Sequence, residues 1–296
     1  MRDRTTTLRQ LLNILGASTI ALALCLVAAC GHDAGRPAGG AGYAALGDSY
    51  SSGAGIAPVV DAGCQRSASD FGALVAKQVR YSSFTDTSCG GATTTNLLHP
   101  QDGGGAHNPP QLDAVGRRTR LVTLTLGLND DGLSYALAFA CQSPSGVPSD
   151  YCRFLLRASN DADKTLSAVA DRLEKSLTMI RRAAPSARIV LVGYPRLYPD
   201  SGSCPHRVPM VDRMVPVLRS TMELMNEKWK SAAAAAGADY VDTWSMSAGH
   251  DICAADPWIN GATAVPGKAA ALHPFPAFHR AVAAAIVKLV QTPAGS

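Results

Sequence analysis

Two short runs, Leu-Val-Thr-Leu-Thr-Leu at 121–126 and Ile-Val-Leu-Val at 189–192, are too uniformly apolar and β-branched to face water on one side. Between them Leu166, Val169, Leu173, Leu177 and Ile180 recur at helical spacing within 161–184, with charges interleaved and Pro185 just beyond. A buried strand, a long amphipathic helix and a second buried strand make a crossover unit of a parallel sheet covered on both faces. The alternation continues along the chain. Residues 43–46 are a short apolar run closed by Gly47, and 69–80 reads as a helix through Phe71, Leu74, Val75 and Val79. A second strand is expected at 83–87, a helix at 211–236, a last short strand at 238–242 and a terminal helix at 278–290. No internal repeat interrupts this order, so the pattern predicts a single α/β domain over 43–292.

The first 29 residues stand apart. Arg2, Arg4 and Arg9 against Asp3 precede an apolar stretch at 11–27, which Asn13, Ser18 and Thr19 interrupt. That stretch is short for a membrane span, which needs roughly 20 mainly apolar residues. Positive, apolar and then small residues is the order of a secretory signal. Val27-Ala28-Ala29-Cys30 resembles the lipobox of bacterial lipoproteins, which implies cleavage before Cys30, lipidation of its thiol and attachment to the outer face of the cell membrane. The alternative is a plain secreted protein cut near Ala29. Residues 31–42, rich in Gly, Ala and Pro, cannot bury enough apolar surface to fold and read as a tether.

Removing residues 1–29 takes three Arg and one Asp from 27 basic and 23 acidic residues, leaving 24 against 22. A balance this even, with no basic run, gives a nucleic acid no footing. Of eight cysteines, Cys25 and Cys30 belong to the leader, leaving Cys64, Cys89, Cys141, Cys152, Cys204 and Cys253. An even number in an exported chain favours three disulfides, with connectivity open. No Cys-x-x-Cys or close Cys/His cluster has zinc-site spacing, so neither a metal nor an organic cofactor is expected.

Ligands of open parallel sheets bind beyond the carboxyl ends of the strands, which makes the residues just after each strand the place to look. Ser49 follows the first strand in Gly47-Asp48-Ser49, Gly90 and Gly91 follow the second, and Asn129 follows the third in Gly127-Leu128-Asn129-Asp130. Each signal alone is an ordinary turn. Acyl transfer needs a hydroxyl, a base within reach, and donors aimed where the acyl oxygen becomes negative. A glycine N–H can approach a substrate that a side chain would obstruct, and an Asn amide can donate to an oxyanion, with Asp130 holding its loop. Leu272-His273-Pro274, shortly before the terminal helix, supplies a candidate base.

These four blocks, in this order, resemble the SGNH or GDSL hydrolases. The stretches 45–53 (Ala-Leu-Gly-Asp-Ser-Tyr-Ser-Ser-Gly) and 89–94 (Cys-Gly-Gly-Ala-Thr-Thr) look most similar to the extracellular actinobacterial lipases and esterases of that family. The resemblance implies a three-layer α/β/α, flavodoxin-like fold and the pairs Cys64 with Cys89, Cys141 with Cys152, and Cys204 with Cys253. It also implies Ser49 as nucleophile, His273 as base, and the Ser49 and Gly91 N–H groups with the Asn129 side chain as oxyanion donors. Asp48 reads as support for the turn, and Ser51 and Ser52 do not match the block.

One departure stands out, because Ala270 occupies the place three residues before His273 where the family usually has Asp. A backbone carbonyl can orient the imidazole instead, and the expected acceptor is that of Ala270, with Asp256 and Asp251 as alternatives on the long loop. His279 competes with His273 but is expected to top the terminal helix. The implied activity is hydrolysis of an acyl ester or lipid by a monomeric exported enzyme. Alternatives on the same scaffold are a carbohydrate O-acetyl esterase, a phospholipase or thioesterase, and a silent acyl-binding lipoprotein. The pocket walls are expected at 136–146 and around Trp258.

Overall fold

The computed structural model describes residues 42–292 apart from 104–105, 144, 146, 148, 151 and 153–158, so the leader, Cys30 and residues 31–41 lie outside the described residues, while Gly42, expected in the tether, opens the first strand. In chain order the strands are β1 (Gly42–Gly47), β2 (Val59–Asp61), β3 (Arg66–Ser67), β4 (Ser83–Asp86), β5 (Gln101–Gly103), β6 (Ala106–Asn108), β7 (Thr119–Thr125), β8 (Arg188–Val192) and β9 (Asp239–Val241). The helices are α1 (Ser49–Ser52), α2 (Phe71–Ala76), α3 (Leu133–Ala138), α4 (Ser159–Ala183), α5 (Val215–Ala235), α6 (Thr243–Met246) and α7 (Pro276–Gln291). Five strands form one parallel sheet in the order β4-β1-β7-β8-β9, while β2 with β3 and β5 with β6 make two small antiparallel pairs. Counted within the large sheet alone the order is 2-1-3-4-5, the flavodoxin-like winding, and the order reverses at the first strand.

Both faces of the sheet are covered, as the apolar runs require. Ala44, Leu46, Val122, Leu124, Ile189 and Leu191 pack with Leu166, Leu173, Leu177 and Ile180 of α4 and Met222, Met225 and Trp229 of α5. Tyr43, Ala45, Leu121, Val190 and Val192 point the other way, against Phe71 and Val75 of α2 and Phe278, Val282 and Ile286 of α7. Each Val, Leu, Ile, Phe or Met side chain so removed from water contributes about 1.5–3 kcal/mol. Thr123 sits in the middle of the sheet because the Tyr43 hydroxyl lies 2.7 Å from its Oγ1.

The expected elements are present with shifted ends. The helix expected at 69–80 starts at Phe71 because the Asp70 carboxylate accepts the Ala73 N–H at 2.7 Å and takes the cap, and it closes at Ala76. The helix expected from 211 begins at Val215, with Pro216 in its first turn and a 3₁₀ turn at Asp212–Met214 before it. The three disulfides pair as the resemblance implies, Cys64–Cys89, Cys141–Cys152 and Cys204–Cys253.

At the carboxyl end of β1 the chain turns on Gly47, whose φ is +121°. The Gln111 side chain clasps that residue, its Oε1 accepting the Gly47 N–H at 2.7 Å and its Nε2 donating to the Gly47 carbonyl at 2.9 Å. A Cβ here would lie 2.4 Å from both Thr125 O and Ser51 Oγ. Gly47→Ala is therefore expected to cost at least about 2 kcal/mol, read as a lower urea midpoint with an unchanged slope.

Candidate active site

The reversal of strand order puts the crevice beyond β1 and β7, and Ser49 opens α1 immediately after β1. Asp48 is the cap of that helix: one carboxylate oxygen accepts the Tyr50 N–H at 2.9 Å, and the other accepts the Tyr194 hydroxyl at 2.5 Å. The same tyrosine oxygen accepts the Leu128 N–H at 3.1 Å. Burial pushes the Asp48 carboxyl up to about 7, with these bonds pulling the other way. The acid is thus fully committed to the turn. Ser51 is buried, with its Oγ accepting the Thr125 N–H at 2.9 Å, and Ser52 is buried as well. Of the three neighbouring serines, Ser49 alone is partly exposed.

The next two blocks are stitched to the first and to each other. Cys89 donates its N–H to the Gly47 carbonyl at 2.9 Å, and Gly90 donates to Cys64 O at 2.9 Å, leading into an exposed Gly91. An added Cβ on Gly91 would meet nothing nearer than Gln101 Nε2 at 3.7 Å, so its φ of +79°, rather than crowding, calls for glycine. Asn129 is half-buried and donates one amide hydrogen to Ala92 O at 3.0 Å, which leaves its second amide hydrogen for another acceptor. Asp130 accepts from Thr94 twice, from N–H at 2.9 Å and from the hydroxyl at 2.5 Å. The loop of Gly91 and the loop of Asn129 are therefore bonded directly to each other.

His273 is half-buried and its Nδ1 lies 2.7 Å from the carbonyl oxygen of Ala271. A carbonyl only accepts, so Nδ1 carries the proton and Nε2 holds the lone pair that makes a base. This corrects the expectation for Ala270. The Ala270 carbonyl is already taken by the His273 N–H at 3.2 Å and the Asn260 side chain at 2.9 Å. Neither alternative acid reaches the ring. Asp251 accepts the Cys253 N–H at 2.8 Å, and the Asp256 carboxylate points into solvent 3.7 Å from His250. Desolvation holds the His273 imidazole below its ordinary range, with the Ala271 bond opposing that shift.

His279 lies within α7, fully buried, with Nδ1 accepting the Phe71 N–H at 3.1 Å. Burial drives its pKa down to about 3, so this ring is a neutral joint between α7 and the start of α2. Trp258 stacks on His250 at 4.3 Å, and its carbonyl accepts the Phe275 N–H at 2.8 Å, which places it beside the His273 loop. The other expected wall, 136–146, carries the end of α3 and Cys141, with 144 and 146 outside the described residues. Two residues escaped the reading of the sequence, Tyr50 and Tyr194. Their reach across the fold leaves no local mark, though an aromatic directly after Ser49 was visible.

A flavodoxin-like sheet with a serine at its switch point and a carbonyl-oriented histidine on the same edge defines an α/β ester hydrolase. The chain belongs to the GDSL-like Lipase/Acylhydrolase family, whose sequence pattern matches residues 45–281. It is 35% identical over 273 residues to Lipase 2 of Streptomyces coelicolor, covering 88% of this chain and 91% of that protein. Among solved structures it is similar to the extracellular lipase of Streptomyces rimosus, with a TM-score of 0.68 and 28% identity over 85% of this chain and 99% of that one. Phospholipase A1 from Streptomyces albidoflavus NA297 gives a TM-score of 0.67 and 28% identity, covering 86% and 99%. The protein is a carboxylic ester hydrolase of the lipase and esterase type.

The two histidines separate experimentally. The unfolded chain takes up the His279 proton near pH 6.5, the folded chain only near pH 3. Between those values the unfolded state binds more protons, so this residue makes stability fall as the solution is acidified below about 6.5. Going from neutral pH to mild acid is expected to lower the urea midpoint of wild type relative to that of His279→Leu, a difference that isolates this ring from buried carboxyls such as Asp48, whose raised pKa acts in the opposite direction.

Proposed function

We propose that Ser49 attacks the acyl carbonyl while His273 Nε2 takes its proton, and that the Ser49 N–H, the Gly91 N–H and the free Asn129 amide hydrogen receive the oxyanion. The imidazolium then returns the proton to the leaving alcohol, and water hydrolyses the acyl-enzyme through the same base. The observation that carries this reading is the Nδ1 contact with Ala271 O, which fixes the tautomer with the basic nitrogen at Nε2. The pair works as a dyad in which a peptide dipole replaces a carboxylate. That substitution supports the imidazolium less than a charged partner would.

Relatives described as lipases and as a phospholipase A1 support a lipid acyl ester as substrate. The lipobox at Cys30 supports export followed by attachment to the outer face of the cell membrane. The three disulfides support the same oxidising side.

A series of p-nitrophenyl esters from acetyl to palmitoyl tests the chemistry. Ser49→Ala and His273→Ala are each expected to lower kcat by roughly a thousandfold or more, and unchanged turnover in Ser49→Ala would overturn the assignment. The base must be neutral to work, and desolvation depresses its pKa. The acid limb of kcat/KM is therefore expected below pH 6.5, the ordinary histidine value, with activity lost as pH falls through it. Radiolabelled palmitate is expected on the wild-type chain and not on Cys30→Ala.

A further inference from the structure

Tyr50 follows the nucleophile and is buried, only 4% exposed. Its two ends serve different parts of the chain. The backbone N–H is fixed to the Asp48 carboxylate, and the hydroxyl crosses 222 positions of sequence to donate to the Leu272 carbonyl at 2.7 Å. That carbonyl belongs to the peptide that joins Leu272 to His273. The ring also lies 5.2 Å from the imidazole, centroid to centroid.

The peptide it holds is an uncomfortable one. Leu272 is a buried, γ-branched residue with φ of +60°, in the left-handed region that side chains rarely adopt. Such a conformation costs of order 1–3 kcal/mol and persists only where surrounding bonds determine it. Those bonds come from two segments. Gly261 O accepts the Leu272 N–H at 2.9 Å and the Asn260 N–H donates to His273 O at 2.9 Å, both from the loop before the histidine. The others come from the nucleophile segment: Ala54 O accepts the Ala270 N–H at 2.9 Å, and Tyr50 donates to Leu272. A Cβ on Gly55 would lie 2.2 Å from Ala270 N, so the two backbones touch there.

We infer that Tyr50 is a positioning residue: its hydroxyl, by gripping the strained Leu272 carbonyl, sets the register of His273 against Ser49. The inference rests on the Ser49–His273 reading given above. Among the described residues no strand pairing and no disulfide joins the turn of the nucleophile to the turn of the base, so their separation is fixed by these bonds together with that from the Ala57 N–H to Gly267 O at 3.0 Å. The Ala54 and Gly55 contacts hold the near end of the histidine turn. The tyrosine hydroxyl is the bond from the nucleophile segment to the peptide adjoining His273. Without it the Leu272 peptide can rotate toward a relaxed φ, carrying the imidazole with it while the substrate pocket stays in place. Misplacement of a base by about 1 Å costs on the order of a hundredfold in rate, far more than loss of a bond remote from the chemistry.

Tyr50→Phe keeps the ring and removes the donor. Measured on the full chain with p-nitrophenyl butyrate, kcat is expected to fall roughly ten- to a hundredfold with KM within about twofold. The rate of covalent labelling of Ser49 by a fluorophosphonate, which uses the same base, is expected to fall by the same factor. A residue that only supports the fold would lower the melting temperature and leave both rates per folded molecule unchanged. A kcat within threefold of wild type, or unchanged labelling, overturns the inference. Should the variant melt near the assay temperature, both rates are taken in the cold and divided by the folded fraction from circular dichroism, with the same outcomes. Ser49→Ala and His273→Ala run beside it keep the two levels apart. If both are inactive and Tyr50→Phe is normal, only the role of Tyr50 fails; if either retains turnover, the dyad itself fails.

Discussion

A carboxylate that is wholly removed from water must find partners for both oxygens, and Asp48 finds them in two different parts of the chain. One oxygen holds the N–H of Tyr50 and so shapes the turn of Ser49; the other holds the Tyr194 hydroxyl, which in turn receives the N–H of Leu128, next to Asn129. Through one buried acid, the turn after β1, the loop after β7 and the second residue beyond β8 share a single set of bonds. Removing any one partner leaves a buried charge or donor unpaired, a loss of about 1–3 kcal/mol per neutral group and more for the acid. The position of the Gly-Asp-Ser stretch invites a catalytic reading of the acid, yet its chemistry is that of a keystone.

The same logic repeats around the edge. Asp130 ties the Gly91 loop to the Asn129 loop through Thr94, and Tyr50 ties the Ser49 turn to the His273 turn. Each connection pairs a polar group just beyond one strand with a group from a distant loop, so the sheet supplies direction and the side chains supply spacing. The imidazole is the exception, since its own neighbour, Ala271, orients it. A short-range contact of that kind resists loop motion better than a carboxylate reaching in from elsewhere, at the cost of weaker electrostatic support for the imidazolium.

How much of this could be read from the sequence follows from the range of the interactions involved. The strands at 121–126 and 189–192 and the helix between them declared themselves because burial imposes a period that the residues must carry. Ser49, Gly91, Asn129 and His273 were legible because each lies at a strand end or in a short block of fixed type. The Ala270 expectation missed by one residue, since which carbonyl meets Nδ1 depends on a left-handed φ at Leu272 that leucine does not advertise. Helix α3, a turn and a half long, gave too few repeats for a period to show. Tyr194 and Tyr50 were invisible as partners because their bonds span 146 and 222 positions.

The disulfides divide the molecule in an uneven way. Cys64 lies between β2 and β3, Cys89 three residues beyond β4, Cys141 and Cys152 between β7 and α4, Cys204 between β8 and α5, and Cys253 between β9 and α7. Closing a loop of this size restricts the unfolded chain by roughly 3 kcal/mol, and here all the restriction falls on the edge that carries the chemistry. The sheet draws its cohesion from apolar burial, which is indifferent to redox conditions. Order at the catalytic edge therefore depends on the redox state of the surroundings in a way that the apolar sheet does not.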